Sequence, residues 1–192
     1  MKPPSLTEEQ DVSHISGNVP PHIKRALSNP KAFYESRLER KIEGPVFFEG
    51  IQERLLVKEI SVRPKSADAA NFEGRVVVEL DVEEDMVNTN GQLHGGCSAT
   101  LFTTCSTLAL HVPVMFHSKE PNPYYGAVSQ SLNVIFHSPA QITDRIRVVA
   151  TTLELGARSH SVTVEIWNMT HHRLVASGSE VKVVLAHPTS RL

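Results

Sequence analysis

One helix-length segment stands among strands in this chain, and that solitary helix restricts the fold more than any other feature. It lies within "NTNGQLHGGCSATLFTTCSTLAL", from Asn88 to Leu110. Two segments before it, "RLLVKEISVR" and "GRVVVELDVEE", alternate apolar with polar residues. Four more follow it: "YGAVSQSLNVIFH", "DRIRVVATTLEL", "SHSVTVEIWNM" and "RLVASGSEVKVVLA", separated by short breaks at Ser138-Pro139, Gly156-Ala157 and Thr170-His171. A period of two with one wet face is the mark of a strand. Six strands around one long helix predict an α+β architecture, an antiparallel sheet with the helix against it.

A chain of 192 residues with 40% hydrophobic content is enough for one domain with a real core and too short for two comfortable ones. Residues 1–20, rich in proline, serine and charge, are expected to be a disordered leader. Residues 21–48 are expected to be a helical extension. Ile23, Leu27, Phe33, Leu38 and Ile42 are its apolar positions, and Asn29-Pro30 interrupts it. The main domain is expected over 49–187, with a polar tail at 188–192.

Lysine and arginine total 19 against 21 acidic residues, which gives no general attraction to nucleic acid or anionic lipid. No secretory segment is visible and no run is read as long enough to span a bilayer, so a soluble protein without a membrane partner is expected. Cys97 and Cys105 lie within one helical pattern and offer no staple, which suits a reducing, intracellular setting. The closing Ser190-Arg191-Leu192 resembles the S-K-L peroxisomal address, so the expected location is cytoplasmic or peroxisomal. The ten histidines form no H-E-x-x-H or other ligand set, His171-His172 falls on an expected hairpin turn, and no metal is expected.

Within the helix, Gly96, Ala99, Thr100, Thr103, Ser106 and Thr107 recur at steps of three and four, so small and hydroxyl-bearing residues share a face. Such a face is either a tight packing surface or the wall of a narrow ligand slot. Leu101, Phe102 and Leu108 belong to another face. Gly95 and Gly96 follow His94 where backbone N–H groups have no intrahelical acceptor, and no side chain keeps a ligand from them. The helix dipole adds to those donors, making a place for developing negative charge. In isolation a Gly-Gly pair is also an ordinary turn, and Asn88 and Asn90 are ordinary turn residues.

Taken together, Asn88, Gly91, Leu93-His94-Gly95-Gly96, Ala99-Thr100-Leu101 and Ser106-Thr107-Leu108-Ala109-Leu110 resemble the hotdog-fold thioesterases of the PaaI-type acyl-CoA branch. A second block, "AVSQSLNVIFHSPA", is similar to that family's strand, with Ser129, Asn133, Phe136, Pro139 and Ala140 in register. The resemblance covers about 50–185. It implies a hotdog fold, a long helix wrapped by the sheet, with sites shared between the subunits of a homodimer or of a dimer of dimers. It implies that Asn88 and His94 orient an acyl thioester, that Gly95 N–H polarises its carbonyl, and that Ser129 contacts the attacking water. Gly96, Thr100, Thr104, Ser106, Thr107 and Asn133 are the expected substrate contacts. Coenzyme A enters only as part of the substrate, with Arg158, Arg173 and Lys182 as candidates for its phosphates and solvated sheet-edge charge as the alternative.

One position departs from the family. Nine residues after the histidine, where the family carries an acid, this chain has Thr103. A threonine hydroxyl holds water but cannot store a proton near neutrality, and losing general-base help costs about 10²- to 10⁴-fold in rate. Candidates to supply the base are His94, His111, His137, Glu84 and Asp85, with Cys97 as a nucleophile of lowered pKa. Three functions therefore stay open: thioester hydrolysis, a non-hydrolytic reaction such as dehydration, cyclisation or condensation, and non-catalytic acyl binding.

Overall fold

Strand periodicity and one apolar helix produce a single six-stranded antiparallel sheet curled around that helix. The structure is a computed structural model and describes residues 10–37, 42–65, 71–118 and 126–184. In chain order the strands are β1 (Leu56–Pro64), β2 (Phe72–Asp81), β3 (Ala127–Phe136), β4 (Arg145–Leu155), β5 (Ser159–Asn168) and β6 (Arg173–Val184). Their order across the sheet is β1-β2-β4-β5-β6-β3, so β3 crosses over to form one edge.

Inward positions of β2, β4 and β5, among them Val76, Val78, Val148, Ala150, Val162 and Val164, are buried. They pack on α4 (Gly95–His117), whose Leu101, Phe102, Cys105, Leu108 and Val112 are equally buried. Each large aliphatic side chain so buried contributes about 1.5–3 kcal/mol. At 23 residues α4 is long and apolar enough to cross a bilayer by length and composition, which corrects the reading that no run is. Here most of it is enclosed by the sheet instead.

Among the described residues, three short helices precede the sheet. α1 (Pro21–Leu27) and α2 (Pro30–Glu35) part at Asn29, whose side chain accepts the Ala32 N–H at 3.0 Å while Pro30 opens the next turn. Ile23, Leu27 and Phe33 are buried as their spacing predicts; Ile42 is exposed, and Leu38 lies outside the described residues. α3 (Glu49–Arg54) was not expected, nor was the 3-10 turn Glu84–Met86, which ends the second strand segment early.

The disordered-leader reading fails over residues 10–20. Val12, Ile15 and Val19 are buried in the core, and Ser16 exchanges backbone hydrogen bonds with Lys58 and Ile60 beside β1. Three apolar residues outweigh the polar composition around them because each finds a buried site. The terminal Ser190-Arg191-Leu192 lies outside the described residues.

Candidate active site

The head of α4 is held by its own flanking loop. Asn88 Oδ1 accepts the N–H groups of Asn90 at 2.9 Å and Gln92 at 3.2 Å, closing a turn in which Gly91 takes φ +69°. Leu93 and His94 then donate to Ala140 and Met86, pinning the entry to the helix. The Asn88 oxygen is thus committed to the turn.

His94 is the N-cap. It is exposed, its backbone is extended, and its Nδ1 accepts the Gly96 N–H at 2.9 Å. An accepting Nδ1 means a neutral ring with its proton on Nε2, a donor available to a ligand. The amide of Gly96 is consequently taken. Gly95 N–H, at the first helical position, has no acceptor within the helix.

The two glycines face different clefts. Gly95 lines one of about 490 Å³ together with Ser98, Phe136, His137 and Pro139. A side chain at Gly95 would come within 3.2 Å of the Phe136 ring, so that ring stands against the Gly95 α-carbon. Gly96 opens on the other side, into a cleft of about 520 Å³ shared with His94, Thr100, Phe48 and Asp85.

The hydroxyl face of α4 is largely satisfied within the helix. Thr100 donates to the Gly96 carbonyl at 2.9 Å, Thr103 to that of Thr100 at 3.0 Å, and Thr107 to that of Thr103 at 2.8 Å. These protons are spent locally, which leaves only lone pairs for a ligand. Thr104 and Ser106 lie roughly 80° to either side of that face. Thr104, expected as a substrate contact, is buried instead, and its carbonyl accepts the Tyr34 hydroxyl at 3.0 Å. Ser106 is also buried, on the side of β6.

Sequence reasoning passed over Glu180. It lies on the inward face of β6, fully buried, with its carboxylate accepting from Ser106 Oγ on α4 and from Ser129 Oγ on β3, the latter at 2.5 Å. Lys182 Nζ is 3.0 Å from the same carboxylate and donates to Ser129 Oγ at 3.2 Å. Lys182, a candidate for the coenzyme phosphates, is therefore a buried partner of Glu180 and not a surface cation. The signal was present in "GSEVKVV", where two charges occupy alternate positions of a strand that must face the helix.

A bulge between Ser129 and Ser131 separates residues expected to act together. Ser129 pairs with Lys182 on the inner face, whereas Asn133 pairs with Ser179 and so falls on the outer face. Arg158 is exposed in the β4–β5 turn, and Arg173 begins β6, where it donates to the Pro139 carbonyl at 2.8 Å. The two arginines sit at opposite ends of the β5–β6 pair.

The other candidate bases sort by environment. His111 is buried against Phe33, its Nδ1 2.8 Å from the Thr107 carbonyl, and burial pushes its pKa down to about 4. Asp85 is held by Arg54 at 2.7 Å, and Glu84 is exposed. His137 stands in the Gly95 cleft with Nε2 2.8 Å from Ser177 Oγ. Burial pushes the Cys97 thiol up to about 12, which corrects the reading of a lowered pKa. Among the described residues, no three His, Cys, Asp or Glu side chains gather to hold a metal.

Residues 90–181 match the family model described as Thioesterase superfamily. The chain is 33% identical over 109 residues to human acyl-coenzyme A thioesterase 13, a match covering 57% of this chain and 72% of that protein. Among solved structures it is similar to zebrafish thioesterase superfamily member 2, with a TM-score of 0.56 and 29% identity over 74% of this chain and 89% of that one. It also shares its fold with the E. coli PaaI protein, with a TM-score of 0.50 and 20% identity over 58% and 73% of the two chains. With its helix and sheet arranged as the family requires and its identity spread over most of a relative's length, the chain belongs to the hotdog-fold thioesterase superfamily.

Proposed function

We propose that the protein hydrolyses acyl-coenzyme A thioesters, with the thioester oxygen held by Gly95 N–H. The observation that carries this reading is Gly95 itself, whose amide at the first position of α4 lacks a helical acceptor and which lines a cleft beside Phe136. There the N–H and the helix dipole stabilise the charge that develops on a carbonyl oxygen under attack. His94 Nε2–H, directed by the bond its Nδ1 accepts, faces the Gly96 cleft and orients the remainder of the thioester from that side.

The working unit in this reading is a homodimer. β3 is an edge strand, and its Val128, Leu132, Ile135 and Phe136 are exposed. An apolar edge of this length invites pairing with a second copy. Phe136 covers Gly95, while Ser129 lies seven residues away along the strand, roughly 23 Å. Antiparallel pairing of two β3 strands about a two-fold axis near Leu132 brings the partner subunit's Ser129 to Phe136, and hence to the Gly95 amide. Each site then takes its oxyanion donor from one subunit and its water-contacting hydroxyl from the other.

The test is release of free thiol from a panel of acyl-CoAs by the purified protein, beside the Gly95→Ala variant, whose added methyl meets the Phe136 ring. Turnover reduced about 10-fold or more in that variant supports the reading. Tight binding of acyl-CoA with no thiol released would instead favour a non-catalytic acyl-binding protein.

A further inference from the structure

The helix lacks an acid at Thr103, and the sheet supplies one close by. Ser106 Oγ lies 3.0 Å from the Thr103 carbonyl and also donates to the Glu180 carboxylate, so that carboxylate sits about one helical turn from the departed position. Its other oxygen accepts from Ser129, an exposed residue on the edge strand. A buried carboxylate–ammonium pair is seldom the most stable filling for a core, since apolar residues of similar volume avoid the desolvation. Packing alone does not account for a fully buried charge connected by one short hydrogen bond to a surface hydroxyl.

We propose that Glu180 is the proton acceptor of hydrolysis, acting through Ser129 Oγ on the attacking water. The proposal rests on the hydrolase reading above. Water oxygen bonds to the thioester carbon as the carbonyl electron pair moves onto the oxygen held by Gly95 N–H. A water proton passes to Ser129 Oγ while the Ser129 proton passes to Glu180. When the intermediate collapses, the C=O bond reforms, the C–S bond breaks, and the thiolate regains the proton along the same path. Carboxylic acid and thiol leave, and both residues are restored. Lys182 holds the carboxylate in place at 3.0 Å.

The charged and titratable groups facing this network are Lys182 on β6, His160 paired with it on β5, His111 on α4, and Tyr34 and Arg37 from the N-terminal segment. The experiment compares wild type with Glu180→Gln and Glu180→Asp, measuring kcat and KM for a medium-chain acyl-CoA across pH, and Kd for its non-hydrolysable thioether analogue. Glu180→Gln is expected to lower kcat about 10²- to 10³-fold and to abolish its fall on acidification. KM and the thioether Kd should stay within about twofold, and Glu180→Asp should recover at least about tenfold of the lost kcat. If the lone Lys182 prevents Glu180→Gln from folding, the charge-free pair Glu180→Gln/Lys182→Met must show the same loss. A folded Glu180→Gln or charge-free pair with wild-type kcat and pH profile overturns the assignment and leaves the hydrolase reading standing. A wild-type protein that binds the thioether yet releases no thiol overturns both.

Discussion

His94 Nδ1 accepts the Gly96 N–H over 2.9 Å, so the imidazole that opens α4 serves the helix with one nitrogen and faces solvent with the other. The two roles are separable. His94→Asn keeps an acceptor at the N-cap and loses the Nε2–H; His94→Ala loses both. Stability should therefore hold within a few tenths of a kcal/mol in His94→Asn and drop by about 1 kcal/mol in His94→Ala. Thiol release should fall about 10-fold or more in both, as expected for loss of a group that orients the thioester. Urea unfolding and kinetics on the same samples decide it, and full turnover in His94→Asn would confine the histidine to capping.

His111 predicts how stability depends on pH. Burial lowers its pKa from 6.5 to about 4 in the folded chain. Above 6.5 both folded and unfolded chains hold it neutral. Between 6.5 and about 4 the unfolded chain takes up a proton that the folded chain refuses, so stability falls as pH falls through that window. The loss is on the order of 3 kcal/mol at most. Burial lowers His160 as well, in the same direction. The urea midpoint should decline from pH 7 to pH 5, and His111→Leu should flatten that decline; an unchanged pH slope in His111→Leu would count against the argument.

Gly74 on β2 fixes how closely sheet and helix approach. A Cβ there would lie 2.5 Å from the Ala109 carbonyl oxygen and 2.5 Å from Pro113 Cδ. Pro113 has no N–H, so the Ala109 carbonyl four residues back is left without its helical donor and turns toward the strand. Gly74→Ala should cost about 1–3 kcal/mol through overpacking. Adding Pro113→Ala should not relieve it, because the backbone oxygen remains. Denaturant unfolding of the single and double variants measures both, and a single-variant cost under about 0.5 kcal/mol would mean the strand yields freely.

The fold was legible because its information is local. Alternation marks each strand, and His94-Gly95-Gly96 marks the helix start, so a sheet wrapped on one helix followed without knowledge of long-range contacts. The site was only partly legible. Gly95 and Ser129 emerged from their place in motifs, whereas the proton balance of Thr100, Thr103 and Thr107 depends on rotamers that spacing does not reveal. Glu180 meets Ser106 and Ser129 across 74 and 51 residues of chain, a relation no window contains. The bulge beside Ser129 reverses which face Asn133 occupies, and nothing in "VSQSLN" announces it. Residues 10–20 were misread because they form turns and a bridge with no period to detect, and the burial of Val12, Ile15 and Val19 depends on partners distant in the chain.

If each site draws Gly95 and His94 from one subunit and Ser129 from the other, two inactive variants must complement. In a mixed dimer of His94→Ala and Ser129→Ala chains, one site carries both lesions and the other carries neither. Random pairing makes half the dimers mixed, so co-expression should restore about a quarter of wild-type thiol release, although each homodimer is nearly inactive. Leu132→Lys, placing a charge in the middle of the β3 edge, should yield monomers by sedimentation and abolish turnover without unfolding the chain, because Leu132 is exposed in the single chain. Activity confined to the parental levels in the mixture, alongside an intact dimer, would place Ser129 and Gly95 in different sites, and the proton path through Glu180 would lose its substrate.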